Sequence, residues 1–374
     1  MEEIRIGIIG TGTQATYYMK KIFGAGKIER AHVAAVCDID EAALSTFRAA
    51  TGYDGPAFSS YKALIDSGLV DMVMVETPHY LHPEISEYGL THGVHVLCEK
   101  PAGVYTRQVK EMNAVADRSD RLFGLMFNQR TDPVYRKMRE MIAAGEIGEV
   151  RRINWIITNW FRPQAYYDSS SWRATWKGEG GGVLLNQCPH QLDLISWVTG
   201  MMPERVSSYC AFGRDHKIEV EDDVTSVLFY KNGATGVFIT KTGEAGGTNR
   251  FEVVGNNGKL IAEGGKLHFT RLSMGAREFS ETAKEKFCEP KREEILVETE
   301  GENLQHTGII RNFVNAALGI EPLYVKGQDG LAGVELMDAM LLSAFLGKEV
   351  PVPVDDDLYF EELQKRIAES EQKA

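Results

Sequence analysis

From Ile4 to about Phe127, short β-rich apolar runs alternate with stretches whose apolar residues recur every three or four positions. The strand candidates are Ile4–Ile9, His32–Cys37, Met72–Glu76, His95–Cys98 and Leu122–Phe127. Helices are predicted near Gln14–Phe23, Glu41–Thr51, His82–His92 and Arg107–Asp117. A strand followed by a helix and then another strand is the signature of a parallel sheet with crossover helices, so this half reads as a doubly wound α/β domain.

After a further helix near Pro133–Ala144 the period changes from helical to strand-like. Val150–Ile157, Arg205–Ala211, Asp222–Tyr230, Ala234–Lys241, Asn249–Val254 and Lys266–Thr270 read as strands. Turn signals at Lys231-Asn232-Gly233 and Asn256-Asn257-Gly258 imply hairpins, hence a large open, mostly antiparallel sheet. Helices near His306–Leu318 and Gly330–Leu346 follow, Pro351 and Pro353 stop the pattern, and Glu361–Lys373 reads as a solvated helix. The expected organisation is a Rossmann domain over residues 1–127 and an α+β substrate-binding and oligomerisation domain over 128–374. An open antiparallel sheet keeps a face to bury, so a homo-oligomer, dimer or tetramer, is expected.

The length of 374 residues agrees with two domains, each with its own core. A net charge of −12 opposes a phosphate backbone or an anionic membrane as partner and favours a small molecule. The five cysteines, Cys37, Cys98, Cys188, Cys210 and Cys288, contain no CxxC pair, so neither a disulfide framework nor a metal knuckle is read from them. Thiols of this kind fit a reducing cytoplasm, and no apolar run is long enough to suggest a membrane span.

Gly10-Thr11-Gly12-Thr13-Gln14-Ala15 follows the first strand directly and opens a helix, the context in which a GxGxxA turn binds a dinucleotide. Gly10 permits the tight turn, Gly12 lets the backbone approach a diphosphate, and the helix start supplies N–H groups. Asp38 ends the next strand, where a carboxylate accepts from both ribose hydroxyls. With Asp40 and Glu41 following and no Arg or Lys nearby, a 2′-phosphate would be repelled, which favours NAD over NADP.

Ligands of open α/β sheets lie beyond the carboxyl ends of the strands, which singles out Thr77-Pro78-His79-Tyr80-Leu81-His82 and Glu99-Lys100-Pro101. His79 and His82 read equally as loop histidines or helix-start contacts. Lys100, fixed between a strand end and a proline, is aimed toward a cleft. Further on, if the run after Gly180-Gly181-Gly182 is helical, Asn186, His190, Asp193 and Trp197 share one face. Pro189 requires that helix to kink or to begin there. The loop from Trp160 to Lys177 carries Tyr166, Trp172 and Arg173 among other flat and hydrogen-bonding groups, which suit either a sugar ring or a packing interface.

These segments together resemble the glucose-fructose oxidoreductase, inositol dehydrogenase and rhizopine-catabolism (Gfo/Idh/MocA) family. The carriers are GIIGTGTQA, VCD, TPHYLH, CEKP, SWR and GGGVLLNQCPHQLDL, spread over nearly the whole chain. The resemblance implies that Lys100 orients substrate and that His190 accepts its proton. It places Thr77, Pro78, His79, His82, Glu99, Lys100, Asn128, Trp172 and Arg173 along the cofactor, with Gly10 to Gln14 and Asp38. Tyr166, Arg173, Asn186 and His190 would meet a carbohydrate or cyclitol. One departure stands out: Asn186 occupies the position where similar proteins usually place an aspartate, and Asp193 is one candidate to orient His190 instead. The implied activity is NAD-dependent oxidation of a secondary hydroxyl of a sugar, cyclitol or glycoside, or the reverse reduction. Two alternatives are glycoside cleavage by transient oxidation and elimination, and a sensor that binds NAD and sugar without turnover.

Overall fold

A computed structural model describes residues 2–373, which fall into two compact units. The first comprises Met1–Asn128 with Leu304–Val334, and the second Gln129–Asn303 with Glu335–Ala374.

In the first unit, β1 (Ile4–Ile9), β2 (Ala31–Cys37), β3 (Ala57–Phe58), β4 (Met72–Val75), β5 (His95–Cys98) and β6 (Phe123–Leu125) form one parallel sheet in the order β3-β2-β1-β4-β5-β6. Their connections carry α1 (Thr13–Tyr18), α2 (Glu41–Thr51), α3 (Tyr61–Asp66), α4 (Leu81–Thr91) and α5 (Thr106–Ala116). The order reverses between β1 and β4, the switch point at which doubly wound sheets bind their ligands. Burial of β1 and β4 on both faces explains their unbroken apolar runs, since Ile6, Ile8, Met72, Val73 and Met74 are all inaccessible. The predicted helix Gln14–Phe23 is α1 continued by a π-helical turn over Met19–Phe23.

The second unit holds α6 (Pro133–Ala143), β7 (Val150–Ile157), α7 (Gln164–Tyr167), α8 (Val183–Asn186), α9 (Pro189–Thr199), β8 (Arg205–Phe212), β9 (Glu221–Phe229), β10 (Thr235–Lys241), β11 (Asn249–Gly255), β12 (Gly258–Glu263), β13 (Lys266–Leu272), α10 (Ala276–Thr282) and β14 (Arg292–Val297). With β15 (Val350–Pro351) the strands form a nine-stranded sheet in the order β14-β13-β12-β11-β7-β10-β9-β8-β15. All pairings are antiparallel except β7 with β10. On the inner face Trp155 stacks on Phe251 with ring centroids 4.2 Å apart, while α6 packs on β12 and β13 and α8 on β9 and β10. The outer face alternates away from that core, as period-two patterning requires.

The chain then returns with α11 (Gln305–Ala317), α12 (Gly330–Leu346) and α13 (Asp356–Lys373). Leu304–Val334 groups with the first unit, whereas the sequence reading drew one continuous second domain from residue 128. The reason lies at the β6 edge. Lys326 makes a bridge to Gly124, and Phe313 lies so close that a Cβ on Gly124 would sit 2.7 Å from its ring, so the returning segment covers an otherwise open strand. Among the described residues, no helix is long and apolar enough to cross a membrane.

Candidate active site

In the first unit the glycine turn joins β1 to α1, with Gly12 at the helix start and Thr13 and Gln14 in its first turn. Gly10 adopts φ +96°, and a Cβ there would meet the Glu76 carbonyl oxygen at 2.7 Å. Only glycine fits such a backbone crossing. Around Gly12, by contrast, a Cβ would meet nothing within 4 Å, so the turn presents open space in front of the helix N–H groups. Thr11 is buried and donates to Asp38 Oδ2 through both its N–H (2.7 Å) and its hydroxyl (2.8 Å), which fixes the carboxylate at the end of β2. Ile39 follows with 87% of its surface exposed, an apolar side chain offered beside that acid.

At the carboxyl end of β4, the Thr77 hydroxyl is buried without a hydrogen-bond partner among the described residues. The open space before Gly12, this orphaned hydroxyl and the anchored acid fit a bound dinucleotide at the switch point. His82 is held from two sides. It is buried on α4, with Nδ1 2.7 Å from the Pro101 carbonyl oxygen and Nε2 2.8 Å from that of Thr77. Its ring therefore ties the loop after β4 to the loop after β5. Burial, assisted by the charge of Lys100, lowers its pKa although both carbonyls pull the other way. His79 is also buried, its ring edge-on to that of His82.

Lys100 follows β5 and is joined to Pro101 by a cis peptide bond. Its backbone N–H donates to Glu99 Oε2 at 3.1 Å, and Glu99 Oε1 accepts from the Tyr18 hydroxyl. Glu76 lies beside this group; burial and then repulsion from Glu99 hold its carboxyl well above the usual range. Glu99 is raised by burial also, although Lys100 and Tyr18 act against the shift. Asn128 donates to Gln305 at 2.5 Å, and the next residue, His306, has its ring against Tyr17 and Tyr18. Burial and the charge of Lys100 push the His306 imidazole down to about 4, so it is neutral at pH 7. Sequence reasoning missed Tyr18, Glu76, Gln305 and His306. Glu76 is adjacent to a motif that was read, but α11 reaches this group only through the return of the chain.

In the second unit, the polar cluster is built by α7, α8 and the loop between them. The Arg173 guanidinium lies over the rings of Tyr166 (4.4 Å) and Trp172 (4.8 Å) and donates to the Tyr166 hydroxyl at 2.6 Å. Tyr166 donates to Asn186 Oδ1 at 3.3 Å and accepts from Gln187 at the same distance. Asn186 donates through Nδ2 to Glu179, an acid that sequence reasoning passed over. Gly182, the last of the three glycines, has a local cause. Glu221 Oε1 accepts from the N–H groups of Gly182 (2.9 Å) and Leu184 (3.0 Å), and a Cβ on Gly182 would fall 2.0 Å from the Glu221 carbonyl oxygen. Burial pushes Glu221 up to about 7, with the charge of Glu179 adding to the shift.

The expected single helical face is broken. α8 ends at Asn186, and α9 starts at Pro189, which takes the first helical position where its missing N–H costs nothing. His190 is the second residue of α9 and is buried. Both carboxylate oxygens of Asp193 accept from Arg130, at 2.8 and 2.5 Å, and the pair is buried. Arg130 also lies 5.4 Å from the Trp197 ring centroid. The far half of the polar stripe is thus an internal ion pair of the unit.

Comparison with known proteins agrees with this construction. Residues 4–127 match the family described as oxidoreductase family, NAD-binding Rossmann fold, and residues 135–261 match the GFO/IDH/MocA C-terminal domain. The chain belongs to the Gfo/Idh/MocA oxidoreductase family. It is 24% identical over 354 residues to inositol 2-dehydrogenase of Rhizobium meliloti, covering 93% of this chain and 99% of that protein. It is 31% identical over 237 residues to trans-1,2-dihydrobenzene-1,2-diol dehydrogenase of Bos taurus, covering 63% of this chain and 67% of that one. The crystal structure of the WlbA dehydrogenase from Bordetella pertussis with NADH and UDP-GlcNAcA superposes with TM-score 0.77 at 26% identity, covering 94% of this chain and 100% of that one. As a Gfo/Idh/MocA oxidoreductase the chain carries an NAD-binding first unit, and the acids at the end of β2 are those that disfavour a 2′-phosphate.

Proposed function

We propose that this oxidoreductase oxidises a secondary hydroxyl of a sugar, cyclitol or glycoside, or reduces the corresponding ketone. The observation that carries the reading is the hydrogen-bonded set Arg173, Tyr166 and Asn186, the last of them one helical turn before His190 in the chain, which presents flat rings and polar edges suited to a polyol. Relatives named for inositol and for anhydrofructose support the substrate class.

The backbone of Gly10, Thr11 and Gly12 would hold the diphosphate, Asp38 the ribose hydroxyls, and Ile39 an apolar face of the adenine, with Thr77, His79, Glu99 and Asn128 further along. Bound NAD supplies the hydride acceptor. His190 takes the hydroxyl proton as general base, an effect worth about 10²- to 10⁴-fold in rate. The Lys100 ammonium stabilises the developing alkoxide, while Tyr166 and Asn186 hold neighbouring hydroxyls. With its cysteines unpaired, the protein works in a reducing compartment, the cytoplasm. The outer face of the large sheet, where Tyr209, Thr225, Ile239 and Ile156 lie in one cross-strand row, meets a second copy, which sedimentation equilibrium would reveal as a species above 41.6 kDa.

The test is NADH formation across a panel of cyclitols, sugars and glycosides. Stoichiometric NADH with a keto product supports the reading. Release of the aglycone without net NADH would indicate transient oxidation with elimination, and a silent panel with clear NAD binding would indicate a sensor.

A further inference from the structure

From Glu179 to Ile195 every residue is buried except Asn186, which is half-buried. Its amide is therefore the one side chain of this stretch with substantial accessible surface, and its orientation decides what that surface offers. The hydrogen bonds around it run in one direction. Arg173 and Gln187 both donate to the Tyr166 oxygen, at 2.6 and 3.3 Å. With two donors arriving, the Tyr166 proton goes outward, to Asn186 Oδ1. At the other end Glu179, 1% exposed, accepts from Asn186 Nδ2 on one oxygen and from the Ala174 N–H on the other, at 2.5 Å. A carboxylate cannot donate, so turning the amide over would set oxygen against oxygen at Glu179 and donor against donor at Tyr166.

We propose that Glu179 is a positioning residue for the reaction, fixing the Asn186 amide so that it meets the substrate as a neutral acceptor and donor of set polarity. The inference rests on the function proposed above. It assigns the negative charge of this cluster to a buried acid behind the amide, 3.8 Å from the Arg173 guanidinium. The surface toward the substrate then suits an uncharged polyol, whose hydroxyls meet the Asn186 amide in that set polarity. Acid–base work is left to His190.

The test is a reciprocal exchange. In Glu179→Gln the partner can present either end of its amide, so Asn186 loses its fixed polarity. We expect kcat on the best substrate to fall about tenfold or more, with a smaller change in KM. Asn186→Asp places two carboxylates in contact and is expected to be slower still. The double variant Glu179→Gln/Asn186→Asp sets an introduced amide, as donor, against an introduced carboxylate, as acceptor. It restores one donor and one acceptor and should be at least about tenfold faster than the product of the single effects predicts. Wild-type kcat and KM in Glu179→Gln, or single effects that simply multiply, would overturn the proposal. An independent readout is the Asn186 side-chain amide resonance, assigned by its loss in Asn186→Asp. One Nδ2 proton should lie downfield and move upfield in Glu179→Gln; no movement overturns the proposal. If wild type forms no NADH with any substrate, the functional reading fails and this resonance still decides the role of Glu179. If Glu179→Gln does not fold, a double variant that folds and is faster than Asn186→Asp supports the proposal, and one that is not faster contradicts it.

Discussion

Glutamine in place of Glu221 should stabilise the second unit above neutral pH and change it little in acid. Glu221 is wholly buried; its Oε1 accepts from Gly182 and Leu184, and its Oε2 has no hydrogen-bond partner among the described residues. Burial outweighs the backbone N–H groups of Glu221 itself, Leu184 and Gly182 and moves the carboxyl from 4.5 to about 7. The folded state therefore binds this proton more tightly than the unfolded chain. The stabilisation this brings is full below pH 4.5 and is lost as pH rises through about 7. At about 1.4 kcal/mol per pH unit, the shift corresponds to about 3 kcal/mol between the two limits. Glutamine keeps the shape and the acceptor and never ionises, so Glu221→Gln should be more stable than wild type by about that amount at pH 8.5 and by less than about 1 kcal/mol at pH 5. All five tryptophans lie in the second unit, so urea unfolding followed by tryptophan fluorescence reads that unit alone. A variant less stable than wild type at pH 8.5, or a gap that is the same at both pH values, would refute the reasoning by showing that Glu221 is ionised and well solvated in the fold.

Two other substitutions separate fold from binding. Gly12→Ala meets no atom within 4 Å, so its melting temperature should stay near wild type, while NADH affinity by fluorescence titration falls about tenfold or more because the methyl occupies the diphosphate path. Unchanged affinity would mean that the dinucleotide does not pass over this turn. Arg130→Met removes the cation of a buried ion pair and should cost the second unit roughly 3–5 kcal/mol, with Arg130→Met/Asp193→Leu recovering most of it. Denaturant unfolding checks both variants, and a single variant as stable as wild type would show that Asp193 is compensated by another group.

Local patterns carried the first unit well. The alternation of Ile4–Ile9 with a helical period, broken by two glycines and followed by Asp38, reports a strand, a turn and a strand end that are all decided within a few residues. Pro189 likewise requires a kink or a helix start, and α9 takes the second course, with proline in the first turn. Elements without a local signal were missed. β3 has two residues, and β14 runs Arg-Glu-Glu-Ile-Leu-Val with no buried position to impose an alternation. The return of Leu304–Val334 to the β6 edge depends on Phe313 meeting Gly124, a contact that no window of sequence contains. The same holds for side-chain chemistry. Asn186 was legible from its motif, but Glu179 stands among glycines, which conceal an acid whose role appears only when the loop closes on α8. Helical spacing makes Asp193 a candidate to orient His190, but its ion pair with Arg130, from a distant turn, has no signal in any window of sequence.

The account depends above all on proton removal by His190 and charge stabilisation by Lys100 in a reaction that reduces NAD. The most direct measurement is the steady-state rate of NADH formation by wild type, His190→Ala and Lys100→Ala on one polyol substrate, with NADH affinity measured alongside. The account predicts a rate loss of roughly 10²-fold or more in each variant, with added imidazole partly restoring His190→Ala. Wild-type turnover in either variant would contradict it.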